Sequence, residues 1–211
     1  AYGAVGAFGT GVGCTDYLYA RVTGHSWLLV PETLKFQLTG KLREGVYARD
    51  LILSIIGMIG ANGANYMAME FSGEGLKTLN ISDRIAICNL CVEAGAKTAL
   101  MEVDDITLDY LKAHSREPKH IFKSDEDAVF AKVYNIDLAT IQPIVAKPHF
   151  VDNVVSAKEC VGTHIDEAFL GSCNNGRIED LRVGAELIKG KKVHPLVRFL
   201  VVPASAAVYQ Q

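Results

Sequence analysis

The stretch that organises this chain is Leu34-Lys35-Phe36-Gln37-Leu38-Thr39-Gly40. It alternates apolar and polar side chains, which is the pattern of a strand with one buried face. Residues 48–59 then repeat apolar positions at helical spacing, so a helix follows the strand. A strand followed by a helix is the repeating unit of layered α/β proteins. The stretch therefore predicts the start of an α/β domain.

A second strand–helix–strand unit follows the first. Residues 65–71 have the pattern of a strand, and residues 98–103 have the pattern of the next one. Between them, residues 82–94 have helical spacing, and we expect Ser82 to cap the start of this helix and Gly95 to end it. The repeated alternation predicts the α/β class, with strands and helices in layers.

The remaining elements divide the chain into three parts. Residues 107–113 form a short predicted helix with Thr107 as its cap, and residues 128–136 alternate as a further strand. Residues 143–152 carry two prolines and are predicted to be a linker. We therefore expect the tail of a first domain in residues 1–30, a complete central domain in residues 31–145, and the start of a third domain in residues 146–211.

Composition predicts a soluble, folded chain that binds neither nucleic acid nor a membrane. Of the 211 residues, 49% are apolar, and the formal net charge is −3, with acidic and basic residues interspersed. The longest apolar run, residues 51–61, contains two glycines and is too short to span a bilayer. Five cysteines without regular spacing argue against a disulfide framework and favour a reducing, cytoplasmic setting.

Glycines are dense at the start of the chain, at positions 3, 6, 9, 11 and 13. They do not form the Gly-x-Gly-x-x-Gly motif of a nucleotide loop, since position 14 is Cys14 and position 16 is Asp16. We expect these small residues to allow close packing of a helix or to line a site formed by other segments.

A second informative stretch is Gly171-Ser172-Cys173-Asn174-Asn175-Gly176-Arg177, which lies between an apolar run and a helical pattern that begins near Ile178. A cysteine in a strand-to-helix turn faces the unpaired N–H groups of the helix start, and these favour its thiolate form. Such a cysteine is suited to binding metal or to nucleophilic attack. The alternative is a buried structural cysteine, since free cysteine packs as a small apolar residue. We expect the Cys173 sulfur to be accessible.

The helical pattern over residues 85–96 has two strongly polar side chains, Asn89 and Glu93. They are four residues apart, so a regular helix places both on one face. They can form the narrow solvated stripe of this helix, or they can direct an amide and a carboxylate into a pocket. Cys88 and Cys91 are expected to be core residues, because they lie mid-helix without a second cysteine pair or nearby histidines.

Three segments resemble the aconitase superfamily, in the form of the large subunits of 3-isopropylmalate dehydratase and homoaconitase. Residues 171–182 are similar to the motif Gly-Ser-Cys-Thr-Asn-(Gly/Ser)-Arg, with Asn174 where the family usually has threonine. Residues 87–98 resemble the helix that carries an active-site asparagine and glutamate. Residues 3–11 resemble the segment that follows an Asp-Ser-His-Thr motif. The resemblance extends over essentially the whole chain and implies an internal fragment of layered β/α domains.

This resemblance implies a [4Fe-4S] hydro-lyase, which moves a hydroxyl between adjacent carbons of a 2-hydroxy di- or tricarboxylic acid such as isopropylmalate. Cys173 would be one of three cluster ligands, Glu93 would be a partner of the substrate hydroxyl, and Asn89 would donate a hydrogen bond beside the cluster. The other two ligands and the histidine-bearing motifs would lie outside this chain. The remaining pocket residues implied by the motif are Ser172, Asn175 and Arg177.

The resemblance also implies a partner, a small subunit or swivelling domain that carries a serine base. With one cluster ligand of three, the chain alone is expected to hold no stable cluster and to be inactive. Homoaconitase or another aconitase-type hydratase is the alternative within the family. Two other functions stay open, namely a transferase with Cys173 as nucleophile and a stable scaffold without catalysis.

Overall fold

A four-stranded parallel sheet forms the centre of the chain, in the order β3-β2-β1-β4. The computed structural model describes residues 2–211. The strands are β1 (Thr33–Thr39), β2 (Ala68–Ser72), β3 (Thr98–Met101) and β4 (Lys132–Asp137). The helices are α1 (Cys14–Thr23) before the sheet, α2 (Ala48–Ile59) between β1 and β2, α3 (Ile81–Leu90) between β2 and β3, and α4 (Asp105–Ala113) after β3. Parallel strands joined by helices confirm the predicted α/β class.

The alternation in β1 separates a buried face from a polar one. Leu34, Phe36 and Leu38 are buried in one core cluster with apolar side chains of α2 and α3. Lys35 lies on the opposite face, where its Nζ is 3.4 Å from Glu70 Oε1 on β2. The half-buried strand predicted for this stretch is therefore confirmed. The second strand begins later than predicted, because residues 61–66 form a turn.

Two predicted helix caps are wrong. Helix α3 is capped by Asn80 rather than Ser82, since the Asn80 side chain accepts a hydrogen bond from an N–H of the first turn at 3.0 Å. Helix α4 is capped by Asp104 rather than Thr107, whose N–H donates to the Asp104 carboxylate at 3.1 Å. In both cases an upstream Asn or Asp is the acceptor that begins the helix. Gly95 ends the α3 region in the left-handed conformation, as predicted.

A buried arginine joins α3 to α4. Arg84 is fully buried, and its guanidinium donates to the two carboxylate oxygens of Asp104 at 2.7 and 2.6 Å. Its other hydrogen bonds go to Thr107 Oγ1 and to the carbonyls of Leu76 and Leu79, so all five N–H groups have acceptors. Burial alone would raise the pKa of Asp104, but the hydrogen bonds and the charge of Arg84 outweigh it and lower that pKa.

The proline-bearing segment predicted as a linker contains a strand. β5 (Ile144–Ala146) pairs antiparallel with β6 (Val154–Ser156). The Ile144 N–H donates to Asp50 Oδ1 at 3.0 Å, and Asp152 Oδ2 accepts from the backbone just after α2 at 3.0 Å. These bonds hold the hairpin on α2, while the prolines lie outside its paired residues. The domain boundaries at 30 and 145 stay a prediction, and the second one falls within β5.

The last part of the chain holds a two-stranded parallel sheet. β7 (Glu167–Gly171) leads into the one-turn helix α5 (Ser172–Asn175) and then into α6 (Ile178–Ile188). β8 (Arg198–Val202) pairs with β7 and precedes α7 (Ala206–Tyr209). After Leu138, the buried residues among those that the structure describes are Asn174 and Gly176 alone. The most enclosed point of this part therefore lies beside Cys173.

Candidate functional site

The cysteine turn, residues 171–177, joins β7 to α6. Residues 172–175 form one helical turn where a loop was predicted. Gly171 and Ser172 have φ values of 116° and 81°, in the region that favours glycine. This backbone conformation turns the chain away from β7 immediately before the cysteine. Cys173 is exposed, as predicted for a residue between a strand and a helix start.

The cysteine turn lies at the carboxyl end of two parallel strands. A Cβ on Gly171 would stand 2.0 Å from the Val202 carbonyl oxygen, and one on Gly176 would stand 2.8 Å from the same oxygen. Glycine is therefore required at both places, because the turn approaches the end of β8 so closely. The Ala204 N–H donates to the Gly176 carbonyl at 2.8 Å, and this bond joins the segments that follow β7 and β8. In open α/β sheets, ligands bind outside the carboxyl ends of the strands.

Asn174 fixes the cysteine turn to the central sheet and its helices. Its side chain is buried, and Nδ2 donates to the Ala86 carbonyl of α3 at 3.3 Å. Its Oδ1 accepts from Arg49 of α2 at 3.3 Å, and its main-chain carbonyl accepts from Arg177 at 2.7 Å. A side-chain amide carries its donor and its acceptor on different atoms, so Asn174 can bond to α2 and α3 at the same time.

The predicted pocket residues Asn175 and Arg177 form hydrogen bonds that connect the cysteine turn with α2 and α6. Asn175 Oδ1 accepts from Arg49 at 3.2 Å, and its Nδ2 donates to Asp180 Oδ1 at 3.2 Å. The Arg177 N–H donates to Asp180 Oδ2 at 3.1 Å, at the start of α6. Ser172 is half-buried beside Cys173. These contacts support the shape of the turn, and a role of the three residues toward a ligand stays a prediction.

Helix α3 presents one stripe to the cysteine turn and to α6. Ser82 Oγ donates to Glu179 Oε2 at 3.2 Å, and the Ala86 carbonyl accepts from Asn174. Asn89 follows seven residues after Ser82, so it lies on the same face, about one turn beyond these contacts. Asn89 therefore lies on the same side of α3 as these contacts, and its orientation toward Cys173 stays a prediction.

Glu93 departs from that stripe. The chain tightens into a 3-10 turn over Cys91–Ala94, with three residues per turn. With about 100° for each α-helical step and about 120° for each 3-10 step, Glu93 lies about 100° round the axis from Asn89, rather than the roughly 40° of a regular helix. Glu93 is exposed, whereas Asn89 is half-buried. The tighter turn therefore separates two side chains that were predicted to share one face.

Asn89 lines a cleft with a volume of about 440 Å³. The glycine-dense start of the chain forms one wall of this cleft, through Gly9 and Gly11. Thr98 Oγ1 donates to the Gly9 carbonyl at 2.8 Å and holds this wall on β3. These two glycines thus line a cleft formed with other segments, and a role of this cleft as a functional site stays a prediction. Cys173 is not among the residues that line this cleft.

The Cys-x-x-Cys at the end of α3 has the environment of core residues, as predicted. Cys88 and Cys91 are buried, and burial raises the pKa of Cys88 to about 12 and that of Cys91 well above its ordinary value. A neutral thiol is a poor nucleophile and a poor metal ligand. Within residues 2–211, no group of three His, Cys, Asp or Glu side chains could hold a metal ion. Cys173 is therefore a single candidate ligand rather than part of a complete set.

Acidic groups gather where α3 and α6 begin. Burial raises the pKa of Asp83, and the charges of Asp180 and Glu179 raise it further, against the lowering effect of a hydrogen bond from the Asn80 backbone. The contact between the two helix starts thus brings like charges together. The hydrogen bonds of Ser82 and Asn174 hold the contact against this repulsion.

Sequence reasoning missed Arg49. It lies in the first turn of α2, where a positive side chain is unfavourable toward the helix dipole. This unfavourable placement is the sequence feature that could have indicated a tertiary role for Arg49. The structure explains it, since the guanidinium bonds to both asparagines of the cysteine turn.

Comparison with known sequences shows the family of the chain. A profile of the aconitase family (aconitate hydratase) matches residues 1–164 and 156–211. The chain belongs to the aconitase family. Aconitase-family relatives include the 3-isopropylmalate dehydratase large subunit of Hydrogenobaculum sp. (strain Y04AAS1), 49% identical over 210 residues, and the probable 3-isopropylmalate dehydratase large subunit of Methanothermobacter thermautotrophicus, 50% identical over 210 residues.

A third aconitase-family relative, the 3-isopropylmalate dehydratase large subunit of Aquifex aeolicus, is 48% identical over 215 residues. All three alignments cover 100% of this chain and 50% of the relative, so the chain spans about half the length of these proteins. The resemblance stated from the motifs is confirmed. Among residues 2–211, no helix has both the length and the apolar character needed to cross a membrane.

Proposed function

We propose that this aconitase-family chain supplies part of the active site of a hydro-lyase, with Cys173 as a ligand of a [4Fe-4S] cluster. The observation that carries the proposal is an exposed cysteine whose turn is bonded to the α3 stripe that bears Asn89. The name of the relatives, 3-isopropylmalate dehydratase large subunit, supports isopropylmalate as the substrate. Loss of water and its return at the neighbouring carbon would then move the hydroxyl. Homoaconitase chemistry is the alternative within the same reaction class.

The donor set fits one corner of such a cluster. Clusters of this kind are held by cysteine thiolates, and Cys173 offers one accessible thiol at the end of two strands. The other ligands would come from outside residues 2–211. When bound, the cluster supplies an iron with an open position that polarises the substrate hydroxyl as a Lewis acid. The chain on its own is accordingly expected to hold no stable cluster and to be inactive.

Asn89 and Glu93 would act on the substrate. From the half-buried stripe of α3, the Asn89 amide can donate to a carboxylate or a sulfide and orient it. The Glu93 carboxyl can protonate the hydroxyl as it leaves as water, and it can take the proton back on rehydration. Removal of the proton on the adjacent carbon would belong to the serine base of the partner subunit. The motif residues Ser172, Asn175 and Arg177 would form the wall next to Cys173.

The proposed partner is a small subunit, because the relatives are named as large subunits. The proposed compartment is the cytoplasm. All five cysteines are free, and free thiols are typical of a reducing environment.

The decisive test is cluster loading of the whole protein. After anaerobic reconstitution, iron and sulfide are measured in Cys173→Ala, with Cys160→Ala as the matched control, since Cys160 is a free cysteine outside the turn. We expect Cys173→Ala to lose the visible absorbance of the cluster and Cys160→Ala to keep it. Equal cluster content in the two variants would contradict the proposal. A wild-type protein that takes up no iron would favour the scaffold function instead.

A further inference from the structure

Arg49 connects the first turn of α2 with the cysteine turn. Its Nη1 donates to Asn174 Oδ1 at 3.3 Å and to Asn175 Oδ1 at 3.2 Å. These two asparagines follow Cys173 directly in the chain. One guanidinium thus restrains two successive residues next to the cysteine.

Helix α2 is a rigid anchor for this contact. Its apolar face is fully buried in the core, through residues such as Leu51 and Ile52. Its start is fixed by Asp50, which accepts from the Tyr47 N–H at 2.8 Å and from the Ile144 N–H at 3.0 Å. The backbone of Arg49 therefore has little freedom. Its side-chain hydrogen bonds hold the cysteine turn in place relative to α2.

Helix stability does not account for a basic residue at position 49. The N–H groups of the first turn carry partial positive charge, so a cation there is unfavourable. A residue that opposes its local preference indicates a tertiary or functional role. The role visible in the structure is the pair of hydrogen bonds to the cysteine turn.

We propose that Arg49 is a positioning residue for Cys173. By bonding Asn174 and Asn175, it holds the turn on α3 and fixes the direction of the cysteine relative to the stripe that bears Asn89. This inference rests on the proposed function for the role of Cys173, but the docking itself exists without a cluster. A guanidinium presents several N–H groups in a fixed plane, whereas lysine is a point donor that would replace it in part.

A nitroxide label on Cys173 measures the docking directly. Cys14, Cys160 and every reactive cysteine of the whole protein outside residues 1–211 are replaced by serine to leave Cys173 as the one reactive thiol, because the buried cysteines of α3 are neutral and react slowly. The label is placed in the wild type, in Arg49→Gln, in Arg49→Lys and in Arg21→Gln, where Arg21 is an exposed arginine of α1. The electron paramagnetic resonance spectrum of the cluster-free protein then reports the mobility of the label.

We expect Arg49→Gln to shorten the rotational correlation time of the label by about twofold or more, and Arg49→Lys to have an intermediate effect. Arg21→Gln should leave the spectrum unchanged, and the thermal midpoint of Arg49→Gln should stay near that of the wild type. If Arg49→Gln does not fold, Asn175→Ala removes one of the two acceptors and should mobilise the label to a smaller extent. A label equally immobile in Arg49→Gln and the wild type overturns the proposal.

Iron analysis separates this inference from the proposed function. A label that is mobilised in Arg49→Gln supports the positioning role even if the whole wild-type protein takes up no iron. A protein that loads its cluster but shows no effect of Arg49 on the label refutes the positioning role alone. In the loaded protein, Arg49→Gln should release iron to a chelator several-fold faster than Arg21→Gln, and equal rates would count against the inference.

Discussion

Replacing Asp104 by asparagine should destabilise the central sheet and helices strongly. The substitution leaves the fully buried Arg84 charged without a counter-charge, and the new amide would place its NH2 at one of the two acceptor positions to which the guanidinium now donates at 2.6 and 2.7 Å. Breaking a buried ion pair by removing one partner costs about 3–5 kcal/mol. The Asp104 side chain is 20% exposed, so water can relieve part of this cost and we expect about 3 kcal/mol. For a chain of this size, that corresponds to a fall of roughly 6–12 °C in the unfolding midpoint.

Circular dichroism during heating and in urea measures this loss, with Asp105→Asn as the matched control. Asp105 is the next residue, is exposed, and also lies at the start of α4. Its removal should cost about 0.3–1 kcal/mol through the helix dipole. If the two variants unfold at the same temperature and urea concentration, the pair with Arg84 does not contribute as argued.

The difference between wild type and Asp104→Asn should also depend on pH. The folded protein holds the pKa of Asp104 below its ordinary value, so the carboxylate adds stability at any pH above the unfolded pKa of about 4. This contribution is lost as the pH falls through the lowered pKa of the folded state. The gap in unfolding free energy should therefore be full at neutral pH and should close in acid. A gap that stays constant between neutral and acidic pH would contradict the assignment.

Three further predictions concern the candidate site. At neutral pH, iodoacetamide should modify Cys173 at least about tenfold faster than Cys88 and Cys91, because burial keeps these two thiols neutral; similar rates by mass spectrometry would show that α3 opens readily. Gly171→Ala should lower the unfolding free energy by about 1–3 kcal/mol, since φ is 116° and the Cβ would meet a β8 carbonyl oxygen at 2.0 Å; a wild-type urea midpoint would refute this. In the assembled enzyme, Glu93→Gln should keep the cluster and reduce turnover by roughly a hundredfold or more; near-normal turnover would leave Glu93 as a solvated helix residue.

The strands and helices could be predicted where periodicity reflects burial. In β1, each apolar residue is buried and each polar residue faces the other side, so seven residues contain the whole signal. Helix caps could not be predicted as well, because Asn80 and Ser82 are both good caps and only the backbone path selects one of them. The β5–β6 hairpin was missed because its attachment depends on Asp50, far away in the sequence.

In the candidate site, too, some features could be predicted from the sequence and others could not. The surroundings of Cys173 could be predicted, because the strand, the glycines and the helix pattern are all adjacent in the sequence. Arg49 precedes Asn174 by 125 residues, so no local pattern joins them. The position of Glu93 was also missed, because the 3-10 turn that moves it results from how α3 ends at Gly95.

The cysteine turn is held by polar contacts in a part of the chain that buries almost no apolar side chain. The heat capacity of unfolding grows with the apolar surface that becomes exposed. Release of the turn from α3 therefore carries a small heat-capacity change, and its free energy varies almost linearly with temperature. The core around β1 and α2 exposes much apolar surface, so its stability follows a curved profile with a maximum. The free energy that holds Cys173 in place therefore changes almost linearly with temperature, whereas the stability of the core changes along a curve.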